Sequence, residues 1–203
     1  MNLVCAVALG ISLGVITGLP LGVVNVAIVD AVAADRRRYA IGVGLGGALA
    51  DTVHSLLAFV GVGRVVTERP DLVRILTVVA ALTITAYAVL AWRRHRRPPT
   101  KPSAATTSSS LGRGIPSGIA LTLPNPGALA AWVAIAAALW PHATLREAIG
   151  VGLGVGLGSA AWFTVLAHLV SRLRRDHPLL AYLPLVALVM LVGVAIVAVV
   201  RVL

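Results

Sequence analysis

Ala40-Ile41-Gly42-Val43-Gly44-Leu45-Gly46 is spelled again, residue for residue, at Ala148-Ile149-Gly150-Val151-Gly152-Leu153-Gly154. What surrounds the two copies is also alike. Gly14 to Pro20 (GVITGLP) precedes the first, and Gly118 to Pro124 (GIALTLP) precedes the second. Each half of the chain therefore runs in one order: an apolar stretch interrupted at a proline, then a glycine-rich apolar stretch.

Outward from the repeat, the whole chain reads as spans and connections. A membrane-crossing helix needs about 20 mostly apolar residues. Six segments meet that length: Val4 to Ala33, Ala40 to Gly63, Leu72 to Trp92, Ile115 to Leu139, Ala148 to Val170, and Leu179 to Val200. Three helices end on the side of the bilayer opposite to where they start, so a duplicated triplet enters upside down. The expected fold is an all-α membrane protein of six transmembrane helices in two inverted three-helix repeats, with the first and fourth helices broken at proline. Residues 1–92 form one repeat and residues 114–203 the other. The seam, residues 93–113, is Arg-rich and then Pro/Ser/Thr-rich, a flexible linker that cannot bury a core.

Composition narrows the class. The chain is 59% hydrophobic and 12% charged, about half the charge share of an ordinary soluble domain. Its apolar content is Ala, Val, Leu and Gly, which lets helix backbones approach one another. Alternating ten-residue segments, the mark of a membrane barrel, are missing. The net charge of +10 sits between apolar runs rather than along one face, so nucleic acid is not an expected partner. The lone Cys5 excludes a disulfide framework and a dithiol carrier. The first apolar run lacks a basic leader and outruns a signal-peptide core.

The basic residues orient the helices. Arg36 to Arg38, then Arg93, Arg94, Arg96, Arg97, Lys101 and Arg113, then Arg172, Arg174 and Arg175 fall on one side; that is twelve of the 17 Lys and Arg. Basic connections stay in the cytoplasm. Both termini are thus expected outside the cytoplasm and the linker inside, in the cytoplasmic (inner) membrane.

The breaks and the intramembrane polar residues are the candidate chemistry. Leu123-Pro124-Asn125-Pro126-Gly127 cannot be continuous helix, because Pro124 and Pro126 each remove a donor. Pro126 suits the first position of a new half-helix and Asn125 its N-cap. Pro20 and Gly22 make a softer break with Asn25 beyond it. A half-helix N-terminus at mid-membrane presents N–H groups and partial positive charge, which attract a carboxylate. The alternative is a plain proline kink. Asp51 lies mid-span, where a charge costs about 2.5–3.5 kcal/mol on insertion scales. His54 is on the same helix face; together they can hold a proton or a cation, or simply hydrogen-bond a neighbouring helix. Asp30 sits near the cytoplasmic end of its span, where the interface can hydrate it, and His168 reads as interfacial. Ser159 reads as one more small packing residue rather than a hydrolase nucleophile. Zinc-ligand spacing, a phosphate loop and a cofactor fingerprint are all missing from the sequence, so no cofactor and no metal are expected.

Gly18 to His54, with its Pro/Gly break, following Asn, basic turn, glycine-rich helix and then Asp and His, resembles the N-terminal signature of the lysine-exporter (LysE) family of small translocators. Leu123 to Gly127 resembles that family's Asn-Pro motif. The family's Pro-Gly-Pro reads here as Pro20-Leu21-Gly22-Val23. The resemblance implies export of an amino acid or similar metabolite, driven by an ion gradient. Pro20, Gly22, Asn25, Pro124, Asn125, Pro126 and Gly127 would bind substrate; Asp51, His54 and Asp30 would serve the proton or other coupling ion. A metal or inorganic-cation exporter and an intramembrane hydrolase are the competing readings. The Gly42 to Gly47 face suits packing within a chain or between the two chains of a homodimer. Lipid is the surrounding partner.

The charge split has a direct check. In a Cys5→Ser background, Ser108→Cys should resist a membrane-impermeant maleimide applied to spheroplasts, while Ala143→Cys is labelled. Labelling of Ser108→Cys overturns the orientation.

Overall fold

The computed structural model describes residues 2–19, 22–62, 65, 68–95, 110–140, 142–172, 189 and 193. Pro20, the middle of the linker and the expected sixth span at 179–200 lie outside the described residues. Among the described residues there are seven helices and no strand: α1 (Leu3–Gly18), α2 (Val23–Ala33), α3 (Arg37–Phe59), α4 (Pro70–His95), α5 (Ser110–Thr122), α6 (Pro126–Leu139) and α7 (Leu145–Arg172). The helices α3 and α7 are long and apolar enough to cross a membrane. The pairs α1–α2 and α5–α6 each qualify as one broken span, bent by 67° and 72°.

Some helix ends fall beyond the apolar stretches read from sequence: α4 runs to His95 and α5 starts at Ser110. At the start of α7 a capping box explains the extension. Thr144 N–H and hydroxyl both donate to Glu147 Oε2, at 2.9 and 2.8 Å, and the Glu147 N–H returns to Thr144 Oγ1 at 3.4 Å. Between α2 and α3 the chain reverses in a Schellman turn, with Arg36 N–H on the Ala31 carbonyl and Asp35 N–H on that of Val32. Asp35 takes φ 60° there, a conformation aspartate tolerates better than most residues.

Two glycine-lined helix pairs make the frame. A Cβ on Gly10 would overlap the Val151 carbonyl and lie 2.9 Å from the Gly154 Cα; one on Gly14 would meet the Val155 carbonyl and the Ser159 nitrogen. The helices α1 and α7 thus run parallel, backbone against backbone. In the same way a Cβ on Gly114 would reach the Tyr39 carbonyl and lie 2.8 Å from the Gly42 Cα, and one on Gly118 would overlap the Val43 carbonyl. This makes α5 and α3 a second parallel pair. Between the pairs α3 crosses α7 antiparallel, with Phe163 over Gly44, Thr52 over Gly156 and Leu56 over Gly152. Val24 of α2 covers Gly47.

The contacts correct the register suggested by the duplicated heptapeptide. The match of Pro20 to Pro124 sets Gly10 against Gly114 and Gly14 against Gly118. Their partners are then Gly154 and Gly158 in one pair and Gly42 and Gly46 in the other. Gly42 to Gly46 therefore corresponds in contacts to Gly154-Val155-Gly156-Leu157-Gly158, one turn beyond the identical copy. Helical periodicity places glycines four residues apart on nearly one face, so identity alone does not choose which pair meets the neighbour.

At the basic end Tyr39 ties α3 to α5. Its hydroxyl donates to Ser117 Oγ at 2.8 Å, Ser117 donates to the Arg113 carbonyl at 3.1 Å, and the Arg36 guanidinium lies 3.9 Å from the Tyr39 ring centroid.

The frame makes a paired prediction. Gly118→Ala must push against the Val43 backbone and should lower stability by about 1–3 kcal/mol. Gly112→Ala meets nothing within 4 Å and should leave the melting temperature of the detergent-purified protein unchanged. Equal melting of both variants would contradict the backbone contact.

Candidate functional site

The two breaks are local consequences of sequence, and each is held by a specific side chain: the first from within its own span, the second also from α3. At the second break the expected cap is in place. Asn125 is the N-cap of α6 and Pro126 opens it. Asn125 Oδ1 accepts from Gly127 N–H at 3.0 Å and from Ala128 N–H at 3.4 Å. Asn125 N–H itself donates to the Thr122 carbonyl at 3.0 Å. The half-helix end was expected to offer free N–H groups to an anion. Here its own asparagine accepts from them, because an N-cap side chain is the nearest acceptor for those donors. Pro124 sits in the turn between α5 and α6.

The carbonyl that the break releases goes to α3. Gly127 N–H is turned to Asn125, so the Leu123 carbonyl loses its helical partner and receives His54 Nε2 at 3.0 Å. His54 is 2% exposed. Its Nδ1, and the hydroxyl of the neighbouring Thr122, are buried without a hydrogen-bond partner.

The first break is held differently. Asn25, in the first turn of α2, donates from Nδ2 to the Gly18 carbonyl at 2.8 Å and so bridges the interruption. Gly22 is the N-cap of α2 and has no side chain to accept from the first turn. Trp162 of α7 lies against Gly18, with a Cβ there only 2.7 Å from its Cδ1, and its buried indole N–H has no partner. Pro20 lies outside the described residues.

Asp51 stands between the breaks. Its Oδ2 accepts from Ser159 Oγ at 2.9 Å, and the same hydroxyl lies 3.4 Å from the Gly14 carbonyl of α1. Three helices thus meet at one serine with no exposed surface. Sequence reasoning missed this role for Ser159. The one signal for it, its place at the edge of the glycine-rich face, is the same signal that marks packing. The hydroxyl faces a carboxylate and a carbonyl, while the His54 ring is committed to Leu123, so no serine–histidine pair forms. Asp30, expected to be hydrated at the interface, is instead buried at 6% exposure, because α2 turns inward after its break and is covered on nearly all sides. His168 Nδ1 meets the Thr164 carbonyl of its own helix at 2.7 Å. Among the described residues no three His, Cys, Asp or Glu side chains gather as a metal site would require.

Apolar helices, two interrupted spans and buried polar side chains at the interruptions define an integral membrane protein of the transporter type. The chain belongs to the LysE type translocator family, whose model matches residues 15–201 of its 203. That family consists of transporters rather than enzymes, and its cargo is small molecules. No curated protein and no solved structure matches the chain.

The cap at the second break is open to test. Asn125→Ala should cost about 0.5–2 kcal/mol of stability, read as a lower melting temperature. Asn125→Ser, which keeps an acceptor, should recover most of that loss. Identical melting of wild type and Asn125→Ala would mean that the cap contributes nothing.

Proposed function

We propose that this protein is a secondary active exporter of amino acids or similar small metabolites in the cytoplasmic membrane, coupled to protons through Asp51. The observation that carries the proposal is the convergence on α3. One turn apart on that helix, Asp51 reaches α1 through Ser159, and His54 holds the released carbonyl of the second break. Any shift of α3 between the two broken spans is thereby felt at both.

Alternating access of two inverted halves is supported by the matched parallel pairs α1–α7 and α5–α3. Parallel α3 and α5 require an odd number of crossings between them. The helix α4, with 26 residues, is about 39 Å long at 1.5 Å per residue, enough for a bilayer core of about 30 Å. That parity fits five crossings up to α7; the sixth apolar segment at 179–200 and the charge split support six spans with both termini outside the cytoplasm. In this scheme the substrate carboxylate is received at the first break, where Gly22 leaves α2 uncapped and Asn25 lies in the first turn. Pro20, Pro124, Asn125, Pro126 and Gly127 shape the two interruptions. Asp51 exchanges the coupling proton as its access alternates. Asp30, buried on α2, is the second candidate for that role.

The test is Asp51→Asn, which keeps the shape and a hydrogen-bonding group but cannot ionise. In vesicles preloaded with labelled amino acids under an imposed pH gradient, wild type should release cargo and Asp51→Asn should fall to the level of protein-free vesicles while still inserting. Undiminished efflux from the variant moves the coupling role away from Asp51.

A further inference from the structure

The His54 ring has two nitrogens with different fates. Nε2 lies 3.0 Å from the Leu123 carbonyl oxygen. A carbonyl only accepts, so Nε2 carries the hydrogen. The other nitrogen, Nδ1, is buried with no partner, in a residue 2% exposed. In the neutral ring Nδ1 is therefore a bare acceptor, and a buried polar atom left unmatched is costly enough to call for an explanation. Its surroundings add to the case. The adjoining Thr122, whose neighbour Leu123 receives Nε2, also carries a buried hydroxyl without a partner. One turn earlier on α3 stands the Asp51 carboxylate. An unmatched acceptor and an unmatched hydroxyl at a helix interruption, with a carboxylate one turn away on the same helix, fit a compact cation that donates hydrogen bonds.

We propose that His54 Nδ1 is a substrate-binding acceptor that receives an N–H of the cargo's ammonium group at the second break. This rests on the exporter reading and assigns the amino end of the cargo to the second break. Asn125, by capping α6, keeps the second break from competing for the carboxylate. His54 then selects for cargo with an N–H donor, and it is not the carrier of the coupling proton.

The experiment uses a substitution that separates the two nitrogens. In His54→Gln the amide nitrogen can still reach the Leu123 carbonyl, while the remaining acceptor, Oε1, is bonded to the same carbon as that nitrogen and does not occupy the Nδ1 position. Vesicles holding the full-length protein are preloaded either with an equimolar mixture of proteinogenic L-amino acids or with their N,N,N-trimethylated forms, which keep the charge but have no N–H. Wild type should export the parent amino acids at least about tenfold faster than the trimethylated ones, the difference expected for one lost hydrogen bond to a charged group. His54→Gln should export the two sets at similar rates, with its dependence on the pH gradient intact. Equal handling by wild type overturns the inference and leaves the exporter reading standing. So does a His54→Gln protein that keeps the preference but no longer responds to the pH gradient. If wild type exports neither set, the exporter reading fails, and the nitrogen resonances of the His54 ring decide the inference alone. A bare Nδ1 that shifts when the amino-acid mixture is added, and not with the trimethylated mixture, supports it. A protonated or unresponsive Nδ1 overturns it. The same spectra decide the matter if His54→Gln does not fold.

Discussion

Backbone-to-backbone contact between parallel helices is the constraint on which everything else depends. Lipid tails are as apolar as leucine, so helices in a bilayer gain little from hiding apolar surface against each other; close packing must supply the attraction. The pairs α1–α7 and α5–α3 meet where glycine on one helix faces a carbonyl or a glycine Cα on the other. At that range a single methyl group has no room. These contacts fix the rotation of α3 and α7 about their axes, and the rotation decides which of their side chains look inward.

Breaking two spans releases backbone groups that the bilayer cannot satisfy, and the fold accounts for them with specific side chains. The Gly18 carbonyl goes to Asn25, the Leu123 carbonyl to His54, and the Gly127 and Ala128 N–H groups to Asn125. The solutions differ between halves although the interruptions match. At the first break the residue that answers lies within the same broken span. At the second, the cap is local but the freed carbonyl is held from α3, a different span. The second break is thus mechanically joined to the central helix in a way the first is not.

Contact equivalence also exposes a division between two similar helices. In the register where Gly42 matches Gly154, Asp51 matches Phe163 and His54 matches Leu166. The frame is shared, but α3 carries Asp51 and His54 where α7 carries Phe163 and Leu166, and α7 contributes the Ser159 hydroxyl. The glycine packing surface thus recurs in both helices, while the Asp51 and His54 pair is found on α3.

Composition and hydrophobic length determined from sequence alone that this is a helical membrane protein, and the rigid geometry of proline placed the second interruption and its Asn125 cap. These are local matters: bilayer thickness sets the length of a span, and a missing donor ends a helix whatever surrounds it. That Asp51 and His54 lie one turn apart on a single helix was legible for the same reason. Tertiary structure decided what those residues touch. The partnership of Asp51 with Ser159 spans 108 positions and that of His54 with Leu123 spans 69; both depend on how far two helices are turned toward each other. The burial of Asp30 follows from the bend before α2, which carries the rest of that span inward. The pairing register of the repeats escaped the sequence because α7 carries the Gly-Val-Gly-Leu-Gly string twice, one turn apart. Only the helix lying against it selects the copy that makes contact.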